Sequence, residues 1–165
     1  MFLVLACLFA LSSGVSLVTT LAGSKNPYDS NDICDGVGSA ALFGKPTGVA
    51  AFQNNLYVAD QGPTPMYGRG TGLIRAIAVA TANVTTLAGN PNRAPCPTGH
   101  ATDGVGSNAC FAMPAGITVD GNSGILYIAD GSFVTSTGAY IRAVNIVTKI
   151  VTTLAGNIIG NNIIN

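Results

Sequence analysis

The chain reads as an all-β protein made of two copies of one four-stranded antiparallel unit, and three observations lead there. The first is composition. Its 165 residues include 21 glycines and 8 prolines, the seven acids are all aspartate, and glutamate is absent. A chain short of a good helix former and rich in turn residues disfavours helix bundles and βαβ folds. The second is charge: seven Lys and Arg balance seven Asp, and charged residues make up 8%, against about 25% in ordinary soluble domains. No basic field exists to attract nucleic acid, while 48% hydrophobic residues exclude a disordered chain. The third is an internal repeat.

Five blocks recur in the same order. Val18-Thr-Thr-Leu-Ala-Gly23 returns as Val84 to Gly89 and as Val151 to Gly156, and Asp35-Gly-Val-Gly-Ser39 returns as Asp103 to Ser107. Phe43-x-x-Pro46-x-Gly48 matches Phe111 to Gly116, Leu56-Tyr-Val-Ala-Asp60 matches Leu126 to Asp130, and Ile74-Arg-Ala matches Ile141 to Ala143. Offsets run from 66 residues (Val18 to Val84) to 70 (Leu56 to Leu126). Five ordered matches do not arise by chance.

Taken in chain order, residues 1–16 carry an apolar run from Phe2 to Leu11 followed by small residues. They read as a secretory signal cut after Gly14 or Ser16, although the run lacks a preceding Lys or Arg. Ten apolar residues are too few to span a bilayer, so no membrane span is expected once the signal is gone. Residues 17–156 form the repeat region, which begins with a leading strand at 18–23. The first unit covers about 35–89, with strands near 46–53, 56–60, 73–81 and 84–88. The second covers about 103–156, with strands near 114–120, 125–130, 140–148 and 150–155. Short Asn- and Gly-containing connections after the first and third strands are hairpin signals, so each unit is a meander. Residues 157–165 are an Ile/Asn tail.

The third strand is apolar on both faces, with Ile74, Ala76 and Ala78 on one side and Ile77 and Val79 beside Arg75 on the other. Such a strand needs cover on both faces, which radial stacking of four-stranded blades supplies. The expected fold is therefore β-propeller blades with an incomplete ring in this chain. Two blades leave apolar faces open, so either the sequence is a segment of a longer propeller or copies assemble, three making six blades. The order Thr-Leu-Ala-Gly, Asp-Gly-x-Gly, Phe-x-x-Pro-x-Gly, Leu-Tyr-(Val/Ile)-Ala-Asp, Ile-Arg resembles the NHL repeat family from Val18 to Gly156. That resemblance implies a six-bladed, TolB-like propeller that binds or scaffolds. Related propellers include lyases and lactonases, so an enzyme fragment is an alternative reading.

Asp60 and Asp130 end the second strands, and Arg75 and Arg142 begin the third, which predicts one structural ion pair per blade. Repetition argues against catalysis, since a catalytic acid and its arginine need no copy in each blade. Asp35-Gly36 and Asp103-Gly104 read as turns. Gly36-Val-Gly38 resembles a dinucleotide fingerprint, but the strand before it and the helix after it are missing. Asp29, Asn31, Asp32 and Asp35 do not have the EF-hand spacing, and the lone His100 builds neither a zinc site nor a triad. No metal, cofactor or activity of the chain's own is expected.

Alternate connections of a meander lie at opposite ends. The long ones all follow second and fourth strands, so one face carries every long loop, and such loops usually carry function. Tyr28, Tyr67, Arg69, Phe133 and Tyr140 lie in or beside them as candidate binding residues for a protein or other macromolecule. A carbohydrate-binding assembly of two-blade chains is the alternative, made weaker by the absence of tryptophan. On the opposite face Asn83-Val84-Thr85 is a glycosylation sequon. Cys96 and Cys110 bracket a loop whose closure by a disulfide would contribute about 3 kcal/mol, leaving Cys34 without a partner in the mature chain.

Overall fold

A computed structural model describes residues 9–10, 16–24, 33–62, 71–91, 101–131, 138–156, 158–159 and 162–163. Near the amino terminus β1 (Phe9–Ala10) pairs antiparallel with β2 (Ser16–Leu17). Two five-stranded antiparallel sheets make the body. The first contains β3 (Gly36–Val37), β4 (Pro46–Phe52), β5 (Asn55–Asp60), β6 (Leu73–Ala78) and β7 (Asn83–Ala88), in the spatial order β3-β7-β6-β5-β4. The second contains β8 (Gly104–Val105), β9 (Pro114–Asp120), β10 (Ile125–Asp130), β11 (Tyr140–Asn145) and β12 (Ile150–Ala155), in the order β8-β12-β11-β10-β9. A last pair, β13 (Ile158–Ile159) and β14 (Asn162–Ile163), follows in the tail. No described helix is long and apolar enough to cross a membrane.

The all-β expectation and the two meandering blades hold, and the ring is not closed. Three expectations change. The third strands end at Ala78 and Asn145, earlier than expected, because the chain turns there: Thr81 N donates to the Ala78 carbonyl and Lys149 N to that of Asn145. Asp-Gly does not make a turn in either blade. Gly36 and Gly104 open short fifth strands that pair with β7 and β12, and a single 3-10 turn follows each. The leading segment is not a strand either. Val18 to Gly23 has the same sequence as the hexapeptides of β7 and β12, yet the described chain offers it no third strand to pair with. It docks on blade 1 through a hydrogen bond from Gly23 N to the Gly38 carbonyl at 3.1 Å and through the packing of Leu21 and Ala22.

That tie repeats between the blades, where Gly89 N donates to the Gly106 carbonyl, also at 3.1 Å. The donor glycines, Gly23 and Gly89, have φ of 109° and 95°, a region where an L side chain is strained. The interface is the larger of two apolar cores. Tyr57, Ile74, Leu87 and Ala88 of blade 1 meet Ala109, Phe111, Leu126, Ile128, Val144 and Val151 of blade 2. On the other face of blade 1 a smaller core joins Val58, Ile77 and Val84 to Ala41 and Ala22. Thus the third strand of the first blade is covered on both sides, as its two apolar faces require.

The innermost strands β4 and β9 lie side by side across this interface. Gly48 lets them approach: a Cβ there would collide with the Ala115 carbonyl and meet Ile117 Cγ2 at 3.2 Å. Gly48→Ala should therefore lower stability by about 1–3 kcal/mol, the usual range for overpacking. Urea unfolding followed by circular dichroism would measure it, and an unchanged midpoint would contradict this packing.

Candidate functional site

The charged groups of each blade converge on its arginine, and the pairs expected from the sequence are present. Arg75 lies on β6 with its side chain fully buried, 3.4 Å from the Asp60 carboxylate that ends β5. Arg142 on β11 makes the matching pair with Asp130 at 3.2 Å. The sequence did not announce the second acid. Asp35 Oδ1 lies 2.8 Å from Arg75 Nη2, and Asp103 Oδ1 lies 3.0 Å from Arg142 Nη2. Each guanidinium is thus held between a buried carboxylate and a half-exposed one.

Backbone carbonyls complete the fork. Arg75 donates to Leu42 O at 3.0 Å and to Cys34 O at 2.9 Å, and Arg142 to Cys110 O at 3.1 Å and Thr102 O at 2.9 Å. Both Nε atoms lack a partner. The rings of Phe43 and Phe111 sit 5.1 and 5.2 Å from the guanidinium carbons, within cation–π range.

The aspartates are equally occupied. Asp60 accepts from Gly44 N and Lys45 N, and Asp130 from Ala112 N and Met113 N. Asp35 accepts from the amide and the hydroxyl of Thr86, both at 2.9 Å, and Thr153 Oγ1 donates to Asp103 at 2.8 Å. These bonds reach 50 residues or more along the chain, which is why Asp35 and Asp103 are cross-links and not turn formers. Chemically the arrangement holds segments together. Both second-strand carboxylates are buried and engaged by their arginines.

Burial and pairing pull the acids of blade 2 in opposite directions. At Asp130 burial pushes the carboxyl above its ordinary value, against the bonds from Met113, Ala112 and Arg142. At Asp103 burial acts the same way, but the bonds from Thr153 and the Arg142 charge outweigh it and hold the carboxyl below its ordinary value.

Of the candidate binding residues, Tyr28, Tyr67, Arg69 and Phe133 lie outside the described residues, as do His100 and Cys96. Tyr140 is described: it opens β11, half-buried, and lines a cavity of about 440 Å³ on the outer side of blade 2. The cavity walls are mostly apolar, with Met113, Ala129, Ile141 and Ala155 among them. Asn83 is exposed at the start of β7, at the end of the sheet opposite Tyr140. Cys110 is buried, while Cys34 is exposed and free. No protein-family model matches the chain, and neither does any curated protein.

The fourfold engagement of Arg142 predicts a large penalty for its loss. Arg142→Met should destabilise by about 3–5 kcal/mol, since it leaves Asp130 buried without its counter-charge. Urea unfolding at neutral pH measures this, and a loss under about 1 kcal/mol would deny the clamp its role.

A depressed carboxyl stabilises above its unfolded value, near pH 4, and that contribution fades as pH falls through the lower folded value. Asp103→Asn should therefore flatten the acid limb of a stability-versus-pH curve below about pH 4. An acid limb as steep as that of the parent chain would refute the assignment.

Proposed function

We propose that this chain is a secreted or cell-surface binding or scaffold module, similar to NHL-repeat propellers, that holds a protein or other macromolecular ligand on its long-loop face and performs no chemistry of its own. One observation carries the reading. In both blades the tight turns join β4 to β5, β6 to β7, β9 to β10 and β11 to β12, whereas the connections leaving β5, β7 and β10 are long. Successive strands are antiparallel, so these three connections leave from one end, whereas those from β3 to β4 and from β8 to β9 start beside the tight turns and cross back to it. A rigid pair of sheets presenting long loops at a single end is the usual build of a recognition surface. The clamp described above leaves its acids fully committed, which favours binding over catalysis.

Secretion belongs to the same proposal. Residues 1–16 serve as the signal, Asn83 carries a glycan away from the loop face, and Cys96 bridges Cys110, which is buried and not free. Mass spectrometry of the protein exported by its own cells should show a chain beginning near residue 17, a glycan on Asn83 and a Cys96–Cys110 peptide. An intact Met1 would defeat the secretory reading.

Ligand binding is tested by probing arrays of extracellular proteins and of glycans with the purified chain. Replacing Tyr67 and Arg69 together with alanine should weaken the strongest interaction at least about tenfold, as for central contact residues. Asn83→Gln should leave it unchanged. Undiminished binding by the double variant would remove that loop from the site, and a glycan in place of a protein would favour the carbohydrate reading.

A further inference from the structure

We propose that the uncovered face of blade 2 binds a second copy of this chain, blade 1 of the incoming copy stacking on it as blade 2 stacks on blade 1. This goes beyond ligand capture on the loops and does not depend on it. The internal repeat provides the comparison. On blade 1, Ile74 is 0% and Leu87 7% exposed, because blade 2 covers them. Their counterparts on blade 2, Ile141 and Leu154, are 45% and 56% exposed. Ala59 and Ala88 are buried, whereas Ala129 and Ala155 are open. The same pattern that makes a dry interface on one blade lies in solvent on the next.

The 440 Å³ cavity sits on this face, and nearly every residue lining it has a counterpart at the internal interface. Ala139, Tyr140, Ile141, Ala155 and Gly156 correspond to Gly72, Leu73, Ile74, Ala88 and Gly89. What packs on that second set is the Phe-x-x-Pro turn of the following blade. Phe111 is fully buried there, Gly72 N donates to its carbonyl at 3.3 Å, and Thr47 Oγ1 donates to the Pro114 carbonyl at 2.9 Å. A lining group with no counterpart role is Gln61, a blade 1 residue that is 8% exposed and whose Oε1 has no hydrogen-bond partner. The cavity thus offers mostly apolar walls, with Asp130 also in its lining.

The chain carries the matching plug. Phe43-Gly-Lys-Pro46 is the blade 1 version of Phe111-Ala-Met-Pro114, and Phe43 is half-buried on the far side of blade 1. One element already sits on that side. Gly23 N occupies the Gly38 carbonyl just as Gly89 N occupies that of Gly106. Residues 18–23 and 151–156 are the same hexapeptide, so the incoming contact exchanges one for the other at a seat that fits both. The resulting contact is head-to-tail, which builds a ring when the rotation closes and a filament when it does not.

Analytical ultracentrifugation of the full chain over a concentration series tests this. The parent chain should sediment at a multiple of its own mass, and Leu154→Asp should return it to the monomer with an unaltered circular dichroism spectrum. Val147→Asp, which places the same charge on an 86% exposed turn residue off this face, should leave the assembly in place. A second variant addresses the geometry. A Cβ at Gly116 meets only Ala129 Cβ at 3.8 Å within the chain, while its counterpart Gly48 is tightly covered. Gly116→Ala should therefore weaken association without lowering monomer stability. A parent chain that stays monomeric at every concentration, or an assembly indifferent to Leu154→Asp and Gly116→Ala, would overturn the proposal.

Discussion

One buried guanidinium per blade organises the rest of the structure. Arg75 ties the carbonyl of Cys34 and the carboxylate of Asp35, which precede the outermost strand, to the Leu42 carbonyl and to Asp60 at the end of β5. Asp60 in turn holds the amides of Gly44 and Lys45, which lead into the innermost strand. A single side chain therefore binds both edges of the sheet to its middle. The planar fork of arginine suits this task, since it offers several donors in fixed directions, and lysine could not reach the same set. Burying such a charge is unfavourable unless it is paired and hydrogen-bonded, and here two carboxylates and two carbonyls meet that condition. The phenylalanine ring over each guanidinium joins the charged clamp to an apolar core, since Phe111 belongs to the inter-blade core and Phe43 packs on the smaller one.

The two blades share this clamp but differ in surroundings. Blade 1 is covered on one face by blade 2 and on the other by Ala22, Leu21 and Phe43. Among the described residues, blade 2 is covered on one face only. Because the residues on its open face follow the same pattern as the buried ones of blade 1, the exposure of Ile141 and Leu154 reflects position in the stack and not a change of design. An apolar β-face with strand ends converging on a cavity is a surface of the kind that seeks a partner.

Much of this was legible in the residues. The repeat announced two meanders, and the placement of Asp60 before the loop and Arg75 just after it announced the inner ion pair of each blade. Asp35 and Asp103 were misread because Asp-Gly ordinarily marks a turn, and their partners Thr86 and Thr153 lie far along the chain. A signal was present all the same: the second threonine of Val-Thr-Thr recurs wherever Asp-Gly-x-Gly does, which is what a fixed side-chain contact would leave behind.

Local pattern by itself determined which residues alternate and that these residues form two meanders, because these follow from side-chain chemistry over a few positions. Only the tertiary structure decided which copies of the pattern became strands and which faces became core. Val18 to Gly23, Val84 to Gly89 and Val151 to Gly156 are one sequence with three outcomes: an unpaired segment packed on blade 1, a strand with its leucine buried, and a strand with its leucine in solvent. The physical reason is that a strand's hydrogen bonds and a face's burial are both supplied by neighbours, and neighbours are a property of the assembled sheets.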